Sequence, residues 1–350
     1  MKLFKFTMLF FTLFSLFSCR KEVSQIRNEK SIPDLNLDTK AIPVSVSPFS
    51  MTTPGVRFYS DLPYGVDDRH KFDLFLPDSE GKIGLVLFIH GGGFTSGDKS
   101  MAYTNPRIRT LIKDLMDDDI AFVSINYHLL GINGQEGVLK TMEDCKLALQ
   151  YLRHHARILH LDTDKIVLVG GSAGAGASLW LGLNDDMADM TSPNGILRET
   201  TRVKGVVAIQ TQGNYDLVNW HNTVFDDYLT QGFSFQTVKS LVSESLIMKF
   251  YGINQMSELN TPQIIQDRAN LDYLNKLSSD DPELYIENTG VSNSYPTYVN
   301  SLLHHPLQGK VLMDKANAVN LSTKVYLPTM NIDTRNGESV YDFIVRKIEE

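Results

Sequence analysis

Apolar residues recur along this chain in short runs whose spacing alternates between that of a strand and that of a helix. Ile83 to Ile89 is unbroken and apolar, the composition of a strand buried on both faces. Ile120 to Tyr127, Ile166 to Val169 and Val206 to Ile209 read the same way, and Leu284 to Glu287 and Lys324 to Leu327 read as the last two strands. Ahead of them, Val56 to Tyr59 and His70 to Leu76 are short alternating strands, with Pro63, Gly65 and Asp67-Asp68 supplying the turn. Helical spacing fills the intervals. Arg107 to Met116 is one helix, Gly137 to His160 a second with Leu139, Met142, Cys145, Leu149 and Leu152 on its apolar face, and Ala173 to Leu183 a third. Strands alternating with helices predict a mostly parallel sheet with right-handed crossovers. Such sheets bind ligands beyond the carboxyl ends of their strands.

Two of those strand ends carry chemistry. The strand Ile166–Val169 stops at Gly170-Gly171, and a helix-forming stretch starts at Ala173, so Ser172 sits on a sharp strand-to-helix turn. Gly170-Gly171-Ser172-Ala173-Gly174 fits G-x-S-x-G, the turn that holds a nucleophilic serine at the top of an α/β sheet. The following helix points its free N–H groups and its positive end at the place where an oxyanion would form. The strand Ile83–Ile89 delivers His90-Gly91-Gly92-Gly93-Phe94. A glycine run there lets backbone N–H groups face a cavity unobstructed. With Ser172 as nucleophile, the oxyanion donors would be the N–H groups of Gly91, Gly92 and Ala173. His90 stands on the wrong strand for a base and reads as a structural hydrogen-bonder of its own loop.

His90-Gly-Gly-Gly-Phe-Thr-Ser-Gly-Asp98, Asn126-Tyr127 and Gly170-Gly-Ser-Ala-Gly174 together resemble the α/β-hydrolase fold esterases, in particular the carboxylesterase and feruloyl-esterase-like carbohydrate esterase branch. The resemblance spans roughly residues 56 to 350 and is strongest through about residue 180 and near Asp281-Pro282. It implies a mostly parallel central sheet flanked by helices, with a small cap insertion at about 213–270. It also implies hydrolysis of a small carboxylic ester, such as an acyl or aryl decoration of a carbohydrate, with no metal or organic cofactor. The aromatics Tyr215, Trp220, Phe225, Tyr228, Phe233, Phe235 and Phe250 of the cap would either stack on an acyl or aryl group or pack the cap against the core.

The family places an acid after the penultimate strand and a histidine after the last. Here the first segment, Asn288 to Tyr295, has no carboxylate, and Asn293 stands near the expected position. The second, Thr329 to Ser339, has no histidine, and none follows His305. One solution takes His304 or His305 as the base, at the start of the helix before the last strand, with Asp216 as its acid. A second takes Glu287 or Asp333 as the acid. In a third there is no base, and the fold serves as a binding module on a surface lipoprotein. A peptidase of the same fold is a further alternative.

The remaining features bound these readings. The chain has 350 residues, is 42% hydrophobic and carries a net charge of −8, which argues against nucleic acid as its main partner. It lacks the phosphate-loop and His-Glu-x-x-His motifs. Lys2 and Lys5 precede the apolar run Phe6 to Phe17, which is followed by Ser18-Cys19. This resembles a bacterial lipoprotein signal. It implies a signal over residues 1–18, a lipid on Cys19, a tether over 19–55, the hydrolase domain from 56 to 350, and a place in the cell envelope, lipid-anchored to the membrane. Cys145 falls on an apolar helix face and reads as core. Cys19→Ala is expected to move the protein from the membrane to the soluble fraction; undiminished membrane retention would count against the lipid anchor.

Overall fold

The computed structural model describes residues 42–131 and 136–350. Cys19 and the expected signal lie outside the described residues, and no described helix is long and apolar enough to cross a membrane. Among the described residues nine strands form one sheet: β1 (Arg57–Pro63), β2 (Lys71–Leu76), β3 (Ile83–Ile89), β4 (Ala121–Ile125), β5 (Leu161–Gly171), β6 (Gly205–Ile209), β7 (Glu283–Glu287), β8 (Thr323–Leu327) and β9 (Ile332–Asp333). Their order is β1-β2-β4-β3-β5-β6-β7-β8-β9. Strands β4, β3, β5, β6, β7 and β8 run parallel; β1, β2 and β9 are antiparallel to their neighbours.

The principal helices are α1 (Pro106–Asp117), α2 (Gly137–His154), α3 (Ala173–Leu183), α4 (Phe235–Val242), α5 (Glu244–Tyr251), α6 (Pro262–Leu271), α7 (Val299–Leu303), α8 (Pro306–Ala318) and α9 (Val340–Glu349). Alternate residues of each central strand feed two separate cores, as the period of the strand requires. Leu85, Leu87 and Ile89 join the core that α2, α3 and α8 cover; Val86 and Phe88 join the one that α1 and α9 cover.

The sheet and its helices follow the hydrophobic pattern, with exceptions. Strand β1 runs on to Pro63, placed in the turn from the sequence, and β5 starts at Leu161, ahead of the apolar run from Ile166. The helix from Gly137 ends at His154, and the chain passes through a short second turn before His160 adopts a left-handed backbone, φ 55°. The polar stretch after β8 folds back as β9, a strand too short and polar to stand out by pattern. The segment between β6 and β7 forms the cap, with α4, α5 and α6 joined by 3₁₀ turns. Its aromatics pack rather than line an open surface. Tyr215, Trp220, Phe225, Tyr228, Phe233 and Phe250 are buried, and Phe225 stacks on Phe233 at 4.6 Å between ring centres.

Strand β5 lies between β3 and β6, so the serine turn and the glycine loop leave adjacent strands. Gly174 lets α3 press against β3 at that point. A Cβ on it would stand 1.9 Å from the Ile89 carbonyl oxygen. Gly174→Ala is therefore expected to cost about 1–3 kcal/mol of stability or more, as overpacking against rigid backbone does. An unchanged denaturation midpoint would contradict so close an approach.

Candidate active site

Ser172 closes β5 and opens α3 with φ 52° and ψ −120°, a backbone conformation that a side-chain-bearing residue adopts only at some cost. Neighbouring structure holds it there. Its N–H donates to the Ile209 carbonyl at the end of β6, 2.8 Å away, and its own carbonyl accepts from Gly176 within the first turn of α3. The strain lifts the hydroxyl clear of the sheet.

The glycine loop lies directly beside it. A Cβ on Gly91 would stand 2.8 Å from the Gly171 carbonyl oxygen and 3.5 Å from Ser172 Cβ. Gly92 has φ +110°, a conformation suited to glycine. His90 is fully buried, and its Nδ1–H donates to the Gly91 carbonyl at 2.7 Å. The imidazole stacks on Tyr127, ring centres 4.1 Å apart, and the Tyr127 hydroxyl donates to the His90 carbonyl. Burial, opposed by the bond to the Gly91 carbonyl, brings His90 down to about 4, so it is neutral near pH 7. Asn126 ties the far end of this loop, accepting from the Lys99 N–H and donating to Asp98.

A histidine meets the serine from the connection after β7, not from the one after β8. His304 caps the C-terminal end of α7, and its Nε2 lies 2.9 Å from Ser172 Oγ. Its Nδ1 lies 2.8 Å from Asn300 Oδ1, one helical turn earlier. With the amide oxygen accepting, Nδ1 carries the proton and Nε2 presents its lone pair to the serine hydroxyl. Burial alone lowers the His304 pKa; no charged neighbour contributes to the shift. Sequence reasoning missed Asn300. Its signal is the i, i+4 spacing in Asn300-Ser-Leu-Leu-His304, which puts two polar side chains on one helix face.

The other candidate acids and bases have different partners. Asp216 receives Arg268 of α6 through Nε at 2.7 Å and Nη2 at 3.2 Å. Both carboxylate oxygens are thus engaged by a cap guanidinium, and Asp216 does not orient His304. His305 turns away from the serine. Its Nε2–H donates to the Ser294 carbonyl and its Nδ1 accepts from the Leu307 N–H, capping α8. Glu287 lies 4.0 Å from Arg335, and Asp333 is held by Arg335 through two nitrogens. Asn293 is exposed on its loop. Cys145 is buried, and burial raises its thiol pKa well above the usual range, consistent with a core residue. Among the described residues no cluster of His, Cys, Asp or Glu could hold a metal ion.

A strained serine at the crest of a mostly parallel sheet, with a glycine loop on the next strand and a cap after β6, defines the α/β-hydrolase fold. Residues 72–285 match the BD-FAE family, and the chain belongs to it. Among solved structures, a truncated carbohydrate esterase from gut microbiota superposes with a TM-score of 0.59 at 16% identity, covering 84% of this chain and 96% of that one. Esterase B from Lactobacillus rhamnosis, solved with a tributyrin phosphonate inhibitor, gives 0.52 at 14% identity, covering 89% and 88%. At these identities the likeness shows the fold. Juvenile hormone esterase of Tribolium castaneum is 28% identical over 125 residues, 32% of this chain and 20% of its own length. A probable isoprenylcysteine alpha-carbonyl methylesterase of Arabidopsis thaliana is 29% identical over 134 residues, 38% of this chain and 26% of its own. The chain thus spans about a fifth to a quarter of the length of these curated relatives.

Because Asp216 serves a cap ion pair, Asp216→Asn is expected to lower stability by about 1–3 kcal/mol, the cost of leaving a partly buried guanidinium underpaired. Residual activity of the folded fraction should be preserved; its complete loss without unfolding would restore Asp216 to the catalytic set.

Proposed function

We propose that this protein is a serine ester hydrolase whose substrate is a small carboxylic ester, in particular an acyl or aryl ester on a carbohydrate. The observation that carries the reading is the 2.9 Å contact between Ser172 Oγ and His304 Nε2 beside the Gly91–Gly92 loop. The esterases among its relatives and the carbohydrate esterase among its structural neighbours support the choice of substrate class.

In this mechanism Ser172 Oγ attacks the ester carbonyl while His304 Nε2 takes its proton. The N–H groups of Gly91, Gly92 and Ala173 hold the oxyanion, and loss of one such donor typically costs ~10²–10³ in rate. Collapse of the tetrahedral species expels the alcohol, which leaves with the proton from His304. Water, activated by the same imidazole, then releases the acid and restores the serine.

Asn300 fixes the tautomer that this cycle needs. As a neutral amide it leaves the transient imidazolium without the charge compensation that a carboxylate provides. The sign of the pH effect follows. Only the neutral imidazole can accept the proton, and burial holds the His304 pKa below its ordinary 6.5. Activity should therefore persist as pH falls through 6.5 and fail only below it. Asn300→Asp places a carboxylate against Nδ1, favours the imidazolium and should move that acid limb upward. An acid limb already above pH 6.5, or one that Asn300→Asp leaves in place, would contradict this reading.

A fluorophosphonate probe tests the nucleophile. The intact protein should be labelled, Ser172→Ala not at all, and His304→Ala much more slowly. Failure of the intact protein to label would favour the binding module, and cleavage of short peptides but not esters would favour a peptidase.

A further inference from the structure

Because His304 comes from the connection after β7, it sits at the junction of two helices, outside any strand ladder. The last carbonyls of α7 have no partners within their own helix, and a five-residue helix is too short to stand by its own hydrogen bonds. Something else must keep the imidazole within reach of Ser172.

Buried amides do this. Gln308 Nε2 donates to the Leu302 carbonyl at 3.2 Å, Gln212 Nε2 to the Leu303 carbonyl at 2.9 Å, and Asn288 Nδ2 to the His305 carbonyl at 3.2 Å. These carbonyls bracket His304 on both sides. Each amide is also tied to neighbouring backbone or side chain. Asn288 exchanges hydrogen bonds with both backbone groups of Thr211, Gln308 Oε1 accepts from the Gly213 N–H, and Gln212 Oε1 accepts from the Tyr215 hydroxyl. The fourth member is His305, fully buried between Phe225 and Tyr228 of the cap. Its ring caps α8 through Nδ1 and grips the Ser294 carbonyl through Nε2.

We propose that His305, with Gln212, Asn288 and Gln308, forms a clamp that positions His304 for proton transfer, standing in for the missing histidine loop after the last strand. This inference rests on the Ser172–His304 reading. All four side chains are 4% exposed or less, and in such surroundings a polar group without a partner is costly. With these bonds made, the three amides and the His305 ring hold this junction in place. It also joins the cap to the base, since His305 packs on Phe225 and Tyr228 and directly follows His304 in the chain.

Two substitutions separate positioning from plain stability. His305→Asn keeps a side-chain acceptor for the Leu307 N–H, because asparagine is a good helix N-cap, and loses the grip on Ser294. Gln212→Met keeps the volume and loses the donor to Leu303. Each should lower kcat, and the rate of fluorophosphonate labelling, by on the order of 10²-fold with KM little changed, the scale of loss expected from a displaced catalytic group. Both rates are read well below each variant's thermal midpoint, where a purely stabilising residue leaves them untouched. If either variant folds and labels at the rate of the intact protein, the clamp is refuted. If the intact protein itself fails to label, the catalytic reading has failed first, and the two failures are told apart. Should one variant not fold, the other still decides.

Discussion

The left-handed backbone of Ser172 is the constraint on which the site depends. A residue with a side chain leaves the sheet there at φ 52° only if the surrounding packing over-determines it. That packing is a set of backbone contacts too close for any Cβ: α3 against the end of β3 at Gly174, and the glycine loop against Gly171. The strain and the close approach have one result. They bring a hydroxyl, a helix N-terminus and a bare stretch of backbone amides to one point at the crest of the sheet. In the proposed mechanism an oxyanion forming there meets dipoles that are already oriented, which is where such sites gain most of their rate.

In the proposed mechanism the base is placed by different means. In this chain the segment after β8 folds into a short hairpin held by Arg335, which engages Asp333 and stacks on Tyr326 at 3.6 Å. It offers no imidazole. The connection after β7 supplies both His304 and its partner Asn300 from a single helical turn, so one short element replaces two separate loops. The replacement has a chemical consequence. An amide orients the ring as a carboxylate would but adds no charge, so nothing offsets the burial that lowers the His304 pKa.

What was legible in the sequence follows from how local each signal is. Strands β1 to β8 and the helices α1, α2 and α3 are written in runs of five to eighteen residues, and both glycine motifs sit within a few positions of a strand end. They needed no knowledge of distant partners. His304 was accessible by elimination, because no histidine follows His305. The choice between the two was not, since it depends on which of two adjacent rings reaches Ser172. Asp216 went astray for a related reason. Its carboxylate is claimed by Arg268, 52 residues further on in the cap, and no periodicity announces that pair. Asn300 carries a local signal, the i, i+4 spacing, but an amide next to a histidine has many uses in a helix.

The arrangement of the imidazole is open to direct observation. Nitrogen-15 NMR of histidine-labelled protein, with His304 assigned by comparison with His304→Gln, reports both its tautomer and its titration. A proton on Nδ1 and a midpoint below 6.5, both perturbed in Asn300→Asp, are the expected result. A proton on Nε2, or a midpoint at or above 6.5 in the unaltered protein, would show that His304 does not present its lone pair to Ser172.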